Sequence, residues 1–435
     1  MRTRVLAAGG VALAAAIAAT LSGGTATAAG FSAPVVVSSL NASEPGIDAA
    51  PDGTLYINAP LGIGSSLPTS PSVVWRSTNG GATWTQTPFG LRAAAPGGGD
   101  SDISVAPDNT LSWTDLWLGS STVGKSTDQA QTWLVNPLQG TYAQDRQWVA
   151  GVGGNVVYHV THQIPTGITV ARSVDGGVTY PTQTIAATPL DQTGCVCPAG
   201  TLIAEAGTPV VAGQQASSVT DKVGVIYYTS SGGIKFAKST NSGSSWTNVN
   251  VKPASSADTG RAFPVVANAG NGVLVAAWQE VNGSSSTVAY SVSTNWGSTW
   301  KAPVTIVSGG SSVFPWIDAR GSKVSVSVFH TTASGLPDNV ANSASWFETY
   351  LEGTITLSGT APNITATTAW GALQTADTTA VKTGPICTNG LDCSGDRELG
   401  DFQAVAIDRN GMANLTYARS INGASDTEIR FVKQI

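Results

Sequence analysis

The chain has 435 residues, room for two or three average domains or for one large β-architecture. Charged residues are 11% of it, against the usual ~25%, while 50 glycines and an apolar share of 41% mark a folded, turn-rich chain. With a formal net charge of −6, this balance excludes coiled coils, long surface helices, general disorder and a basic nucleic-acid binder.

In chain order, the first element reads as a signal peptide over residues 1–28. Arg2 and Arg4 precede an Ala/Val/Leu run that ends in small residues, with Ala26-Thr27-Ala28 as the expected cleavage site. The remaining chain, 29–435, then carries 19 basic and 27 acidic residues, a net charge of −8. No later stretch has 18 consecutive apolar residues, so no membrane span is expected. A secreted, extracellular, monomeric protein of one domain is the expectation. Four cysteines in two close pairs, Cys195/Cys197 and Cys387/Cys393, suit local disulfides in that compartment; a Cys-only zinc site would need both pairs brought together.

The next feature is a repeat. Ser77-Thr78-Asn79-Gly80-Gly81-Ala82-Thr83-Trp84 returns with variations from Ser126 to Trp133, Ser173 to Tyr180, Ser239 to Trp246 and Ser293 to Trp300. The copies start 47 to 66 residues apart, the spacing of four-stranded propeller blades with variable loops. Each copy follows a short β-type run and reads as a hairpin turn. Its Asp or Asn accepts backbone N–H groups, its Gly tolerates positive φ, and its final ring packs between blades. The pattern S-x-D-x-G-x-T-W resembles the Asp-box, or BNR, repeat of sialidase-like β-propellers. In that family the box lies away from the active site, so Asp128 and Asp175 are expected to be structural.

Upstream of each box a second hairpin recurs. Its turns are Pro51-Asp52-Gly53, Pro107-Asp108-Asn109, Gly153-Gly154-Asn155, Gly270-Asn271-Gly272, Arg320-Gly321 and Asn410-Gly411. A longer one joins Pro209–Ala212 to Val223–Tyr228. Seven hairpins predict an all-β, seven-bladed propeller of four-stranded antiparallel blades, with six blades, the sialidase number, as the alternative. Val35-Val36-Val37 resembles the strand after the fifth box and Ile429–Lys433 the strand before the fourth. The two termini are therefore expected to share one blade and close the ring. Residues from about 354 to 400 form an insertion between the last two blades that is long enough for a lid.

Strand direction sorts residues onto two faces, and ligand chemistry is expected opposite the boxes. Arg146, Arg261 and Arg397 each precede an inner strand; three converging guanidiniums suit a carboxylated sugar. Sialidases use three such arginines, so the resemblance implies an acidic-sugar pocket. Acids on the same rim are Glu44, Asp100, Asp102, Asp145, Glu280, Asp396, Glu398 and Asp401. A glycosidase needs a proton donor with a base or nucleophile. In the sialidase scheme a Tyr backed by a Glu attacks and an Asp manages the proton. Tyr142 or Tyr417 with Glu280 or Glu398, plus Asp100 or Asp145, fit those roles. His159 and His162 lie three apart and point opposite ways in a strand, so one of them, with His330, reaches the channel. Trp113, Trp117, Trp148, Trp278 and Trp316 sit near the rim, as sugar-stacking platforms or as packing between blades.

The sequence departs from sialidases in two respects: no Phe/Tyr-Arg-Ile-Pro motif precedes the first box, and the expected blade count differs. The leading expectation is a sialidase-like glycoside hydrolase acting on acidic extracellular glycans. A polysaccharide (uronate) lyase using His, Arg and Tyr, or a non-catalytic glycan-binding propeller, are the alternatives. No cofactor is expected, although a divalent cation is compatible with the rim acids.

Overall fold

The computed structural model describes residues 30–61, 72–88, 97–117, 119–139, 143–163, 167–187, 191, 199–207, 220–360, 363–421 and 426–435. These form an all-β array of antiparallel sheets. Five sheets have four strands each; a sixth has ten. The ten-stranded sheet contains two further four-stranded antiparallel runs, which begin at Val265–Gly270 and Ser311–Arg320 and are joined by one parallel pair, Ser286↔Ser311.

The first strands of these units lie together at the centre. Gly46–Ala49 meets Ser101–Val105, which meets Gln144–Gly153, then Ala199–Glu205, Val265–Gly270, Ser311–Arg320 and Ala404–Ile407. Ala404–Ile407 in turn meets Gly46–Ala49. The last sheet is completed across the chain ends: Val35–Ser38 pairs with Thr427–Lys433, in the register Val35↔Phe431.

Side chains staple neighbouring central strands. Asp48 accepts the Val105 N–H at 2.7 Å, Asp102 that of Val149 at 2.8 Å, Asp318 that of Ile407 at 2.6 Å, and the Thr201 hydroxyl that of Val266 at 2.8 Å. Each bond satisfies a donor that no strand partner reaches. Burial raises all three carboxyls, Asp48 and Asp318 to about 6 and Asp102 to about 7. Asp102 is thus occupied as a staple rather than presented on the rim.

The five repeated octapeptides adopt one turn. The Ser hydroxyl bonds the Asn or Asp carboxyl or carbonyl oxygen two residues on (2.7–3.0 Å) and accepts the N–H four residues on (2.9–3.0 Å). The same Asn or Asp accepts a further N–H four residues later. Three of the closing rings reach back to the preceding sheet: Trp84 meets Phe431 edge-on at 5.1 Å, Trp300 meets Phe236 at 5.6 Å, and Trp246 donates to Thr184. This is the packing expected of an aromatic at that position.

Two expectations change. Six hairpin turns fall where predicted; Lys222–Tyr228 pairs with Ala199–Glu205, and Pro209–Ala212, the expected start of the seventh hairpin, lies outside the described residues. The predicted insertion is partly sheet: Ser345–Ser358 pairs with Thr365–Trp370, and only the chain from about 371 to 403 leaves the four-stranded pattern. The cause is the alternating Thr-rich run Thr365–Trp370, a good outer strand that carries no octapeptide to announce it. The leftover segment is tied by the Cys387–Cys393 disulfide; Cys195 and Cys197 lie outside the described residues.

Candidate active site

The leading ends of the central strands build the site, and a bulge aims its central cation. Register slips between Asp145 and Gln147, leaving Arg146 as the extra residue at φ 44°. A bulge turns one side chain out of the strand's alternation, and Arg146 turns inward, 2% exposed. Its guanidinium lies 3.7 Å from the Trp148 ring centroid, 4.3 Å from Phe402 and 5.5 Å from Phe263. A desolvated cation over an aromatic face gains about 2 kcal/mol.

Those rings belong to a plug. Trp148 contacts Trp316, Phe263 and Phe402 at 5.4–5.5 Å, and Trp316 stacks on Phe402 at 5.1 Å. They come from four different central strands or their leading loops, and Trp148 is 3% exposed. Trp148 and Trp316 therefore fill the centre as packing and as support for Arg146. Trp113 and Trp278 are likewise buried.

Around Arg146 gather four acids and a second arginine. Nη1 lies 3.8 Å from Glu44 Oε2 and 3.7 Å from Asp100 Oδ1. Arg397 clamps Asp401 through Nε and Nη2 and lies 4.0 Å from Glu44 Oε1. Glu44, at φ 52°, is the hub: it also accepts the Asp401 N–H at 3.0 Å. Gly400 makes this possible, since a Cβ there would fall 2.1 Å from Glu44 Cγ. Burial, then the charges of Asp401 and Asp100, push Glu44 well above the usual carboxylate range; the two arginines only partly offset this.

Asp145 is the half-buried member. Burial and the Asp100 carboxylate raise its pKa, with Asp401 adding to the effect. Its register partner His162 is buried beside it. Asp100 is half-buried too, with 26% of its side chain exposed. The site thus sets a carboxyl of raised pKa beside a second half-buried acid, over the Arg146–Glu44–Arg397 group. That is the arrangement acid–base chemistry needs.

The structure brings together Asp100, Asp145, Arg146 and Arg397, and it adds Glu44 and Asp401 from the predicted rim acids. Other candidates go elsewhere. Arg261 pairs with Asp258 at 2.8 Å and with Asp338, and bonds Thr388. Arg261 is thus held by loop acids of its own, as Arg397 is held by Asp401. Tyr417 is fully buried, donating to Asp377 at 2.6 Å, beside Arg430. Glu398 is ion-paired with Lys382, which also pairs with Asp396. Glu280 accepts the Trp278 indole N–H at 2.8 Å, and His330 bonds Ser312 at 3.0 Å. His159 is buried against Thr114 and Tyr180, and burial lowers its pKa to about 4. Tyr142 lies outside the described residues.

Sequence reading missed the aromatic plug and the staples Asp48 and Asp318. A signal for the staples existed: both sit in the same Ile-Asp-Ala triplet of a central strand. Among the described residues no group of three His, Cys, Asp or Glu is arranged to hold a metal, and no helix is long and apolar enough to cross a membrane.

No family model matches the chain, and no curated protein matches it in sequence. Solved structures do resemble it. The NanB sialidase of Streptococcus pneumoniae is 11% identical with a TM-score of 0.46, covering 92% of this chain and 69% of that one. The leech intramolecular trans-sialidase is 13% identical at 0.47, covering 91% and 68%. The Penicillium chrysogenum α-L-arabinanase is 12% identical at 0.46, covering 92% and 98%. At such identities and scores these likenesses say nothing of what this chain acts on.

Proposed function

We propose that this chain is a secreted, closed seven-bladed β-propeller that hydrolyses glycosidic bonds at the mouth formed by Asp145, Asp100 and the Glu44–Arg146–Arg397 base. The ring reading draws support from the succession of central-strand contacts and from the Val35↔Phe431 pairing. Secretion draws support from the leader pattern of residues 1–28 and from the Cys387–Cys393 bond.

The observation that carries the function is the crowding of four carboxylates around two arginines, contributed by chain segments as distant as Glu44 and Asp401. Asp145 donates the proton to the leaving oxygen, its pKa raised by burial and by Asp100. Asp100, with 26% of its side chain exposed, acts as base or nucleophile across the scissile bond. Glu44, Arg146, Arg397 and Asp401 position them. Each arginine already faces an internal acid, so a neutral sugar fits the mouth more readily than an acidic one.

The test is reducing-sugar release from a panel of neutral and acidic polysaccharides, by wild type and by Asp100→Asn. The expected outcome is release from at least one glycan, lowered about 100-fold or more in the variant, without the absorbance near 235 nm that C5 proton abstraction would generate. That absorbance would establish a lyase. Binding without any product would establish a lectin.

A further inference from the structure

A cavity of about 460 Å³ opens between the 376–400 segment and the end of strand Ala413–Ser420. Its lining includes Thr379, Lys382, Thr383, Glu398, Arg419 and Ile421. The charges cancel locally. Lys382, 6% exposed, lies between Asp396 and Glu398, while Arg419 is held by the Ala380 carbonyl and by Glu428 at 3.0 Å each. One oxygen remains unanswered: Glu398 Oε2 is out of reach of solvent and has no hydrogen-bond partner. Ile421, 41% exposed, supplies an apolar edge.

From this lining we infer a second, non-catalytic saccharide-binding pocket for a neutral oligosaccharide, resting on the glycan-active reading above. A ring of hydroxyls, each both donor and acceptor, matches a wall of mixed donors and acceptors with no net charge, and its C–H face suits Ile421. A small anion or cation would be repelled by one half of the same wall. The pocket is joined to the active mouth by three consecutive residues: Arg397 reaches Asp401 and Glu44, while Asp396 and Glu398 on either side of it hold Lys382. A glycan long enough to occupy both places is held at two points, and its affinity rises with chain length.

The experiment measures binding of cellohexaose, xylohexaose, arabinohexaose and chitohexaose, and of the matching disaccharides, to the full chain by calorimetry. Wild type is compared with Thr383→Trp, which fills the cavity from an exposed position, and with Lys382→Met. Hydrolysis of aryl monoglycosides is followed in parallel. The expected result is that one hexasaccharide binds, Thr383→Trp weakens it at least 10-fold, and monoglycoside hydrolysis changes less than 2-fold. Lys382→Met weakens binding in the same direction. Unchanged hexasaccharide binding in Thr383→Trp, or no hexasaccharide bound at all, overturns the pocket. Loss of binding in Thr383→Trp by a protein that hydrolyses nothing upholds the pocket and overturns the catalytic reading.

Discussion

The two faces of this molecule use the same residue type in opposite ways. On the turn face, Asp175 is exposed and Asp128 half-exposed, yet each accepts several N–H and O–H donors from its own octapeptide. Their slight burial would raise their pKa values, but these bonds outweigh it and hold both carboxyls low. At the mouth, burial and neighbouring carboxylates raise Glu44 and Asp145. A carboxylate supplied with donors fixes a turn; one crowded by other carboxylates is left with a proton to give.

Three perturbations break or sharpen that contrast. The largest effect belongs to Arg146→Met, which strips the cation that lies within 4 Å of both Glu44 and Asp100. Removing one partner of a buried ion pair costs about 3–5 kcal/mol, so denaturant unfolding should show a loss of that size, together with loss of activity. A smaller effect concerns pH. Asp102 has a folded pKa near 7, above its unfolded value, so the folded state binds the extra proton. Its contribution is fully present below about pH 4 and is lost as pH rises through 7, at up to about 1.4 kcal/mol per pH unit. Asp102→Asn keeps an acceptor for Val149, and unfolding curves across pH 4–7 should show the wild-type decline flattened in the variant. The smallest effect is Asp175→Ala on the opposite face. Loss of its turn bonds should cost about 1 kcal/mol and leave activity unchanged.

Legibility in the sequence followed the range of the interaction. The turns were readable because the partners of their Ser and Asp or Asn side chains lie within four residues, as from Asp175 to Thr179. Asp100, Asp145, Arg146 and Arg397 were readable because position relative to a central strand is local information. The pairing of Arg261 was not readable because its partner, Asp338, is 77 residues away. For Trp148 and Trp316 the sequence left platform and packing both open, because nothing near them in the chain tells that Phe263 and Phe402 will pack against them. The hub role of Glu44 depends on Asp401, 357 residues on, and on the absence of a side chain at Gly400.

Asp145 as proton donor is tested most directly by comparing two leaving groups. kcat/KM is measured for wild type and Asp145→Asn on the oligosaccharide that wild type cleaves and on the 2,4-dinitrophenyl glycoside of the same sugar, whose leaving group needs no proton. A fall of about 100-fold or more on the oligosaccharide, with less than about 10-fold on the dinitrophenyl glycoside, is the predicted result. Equal falls on both, or no fall on either, would contradict it.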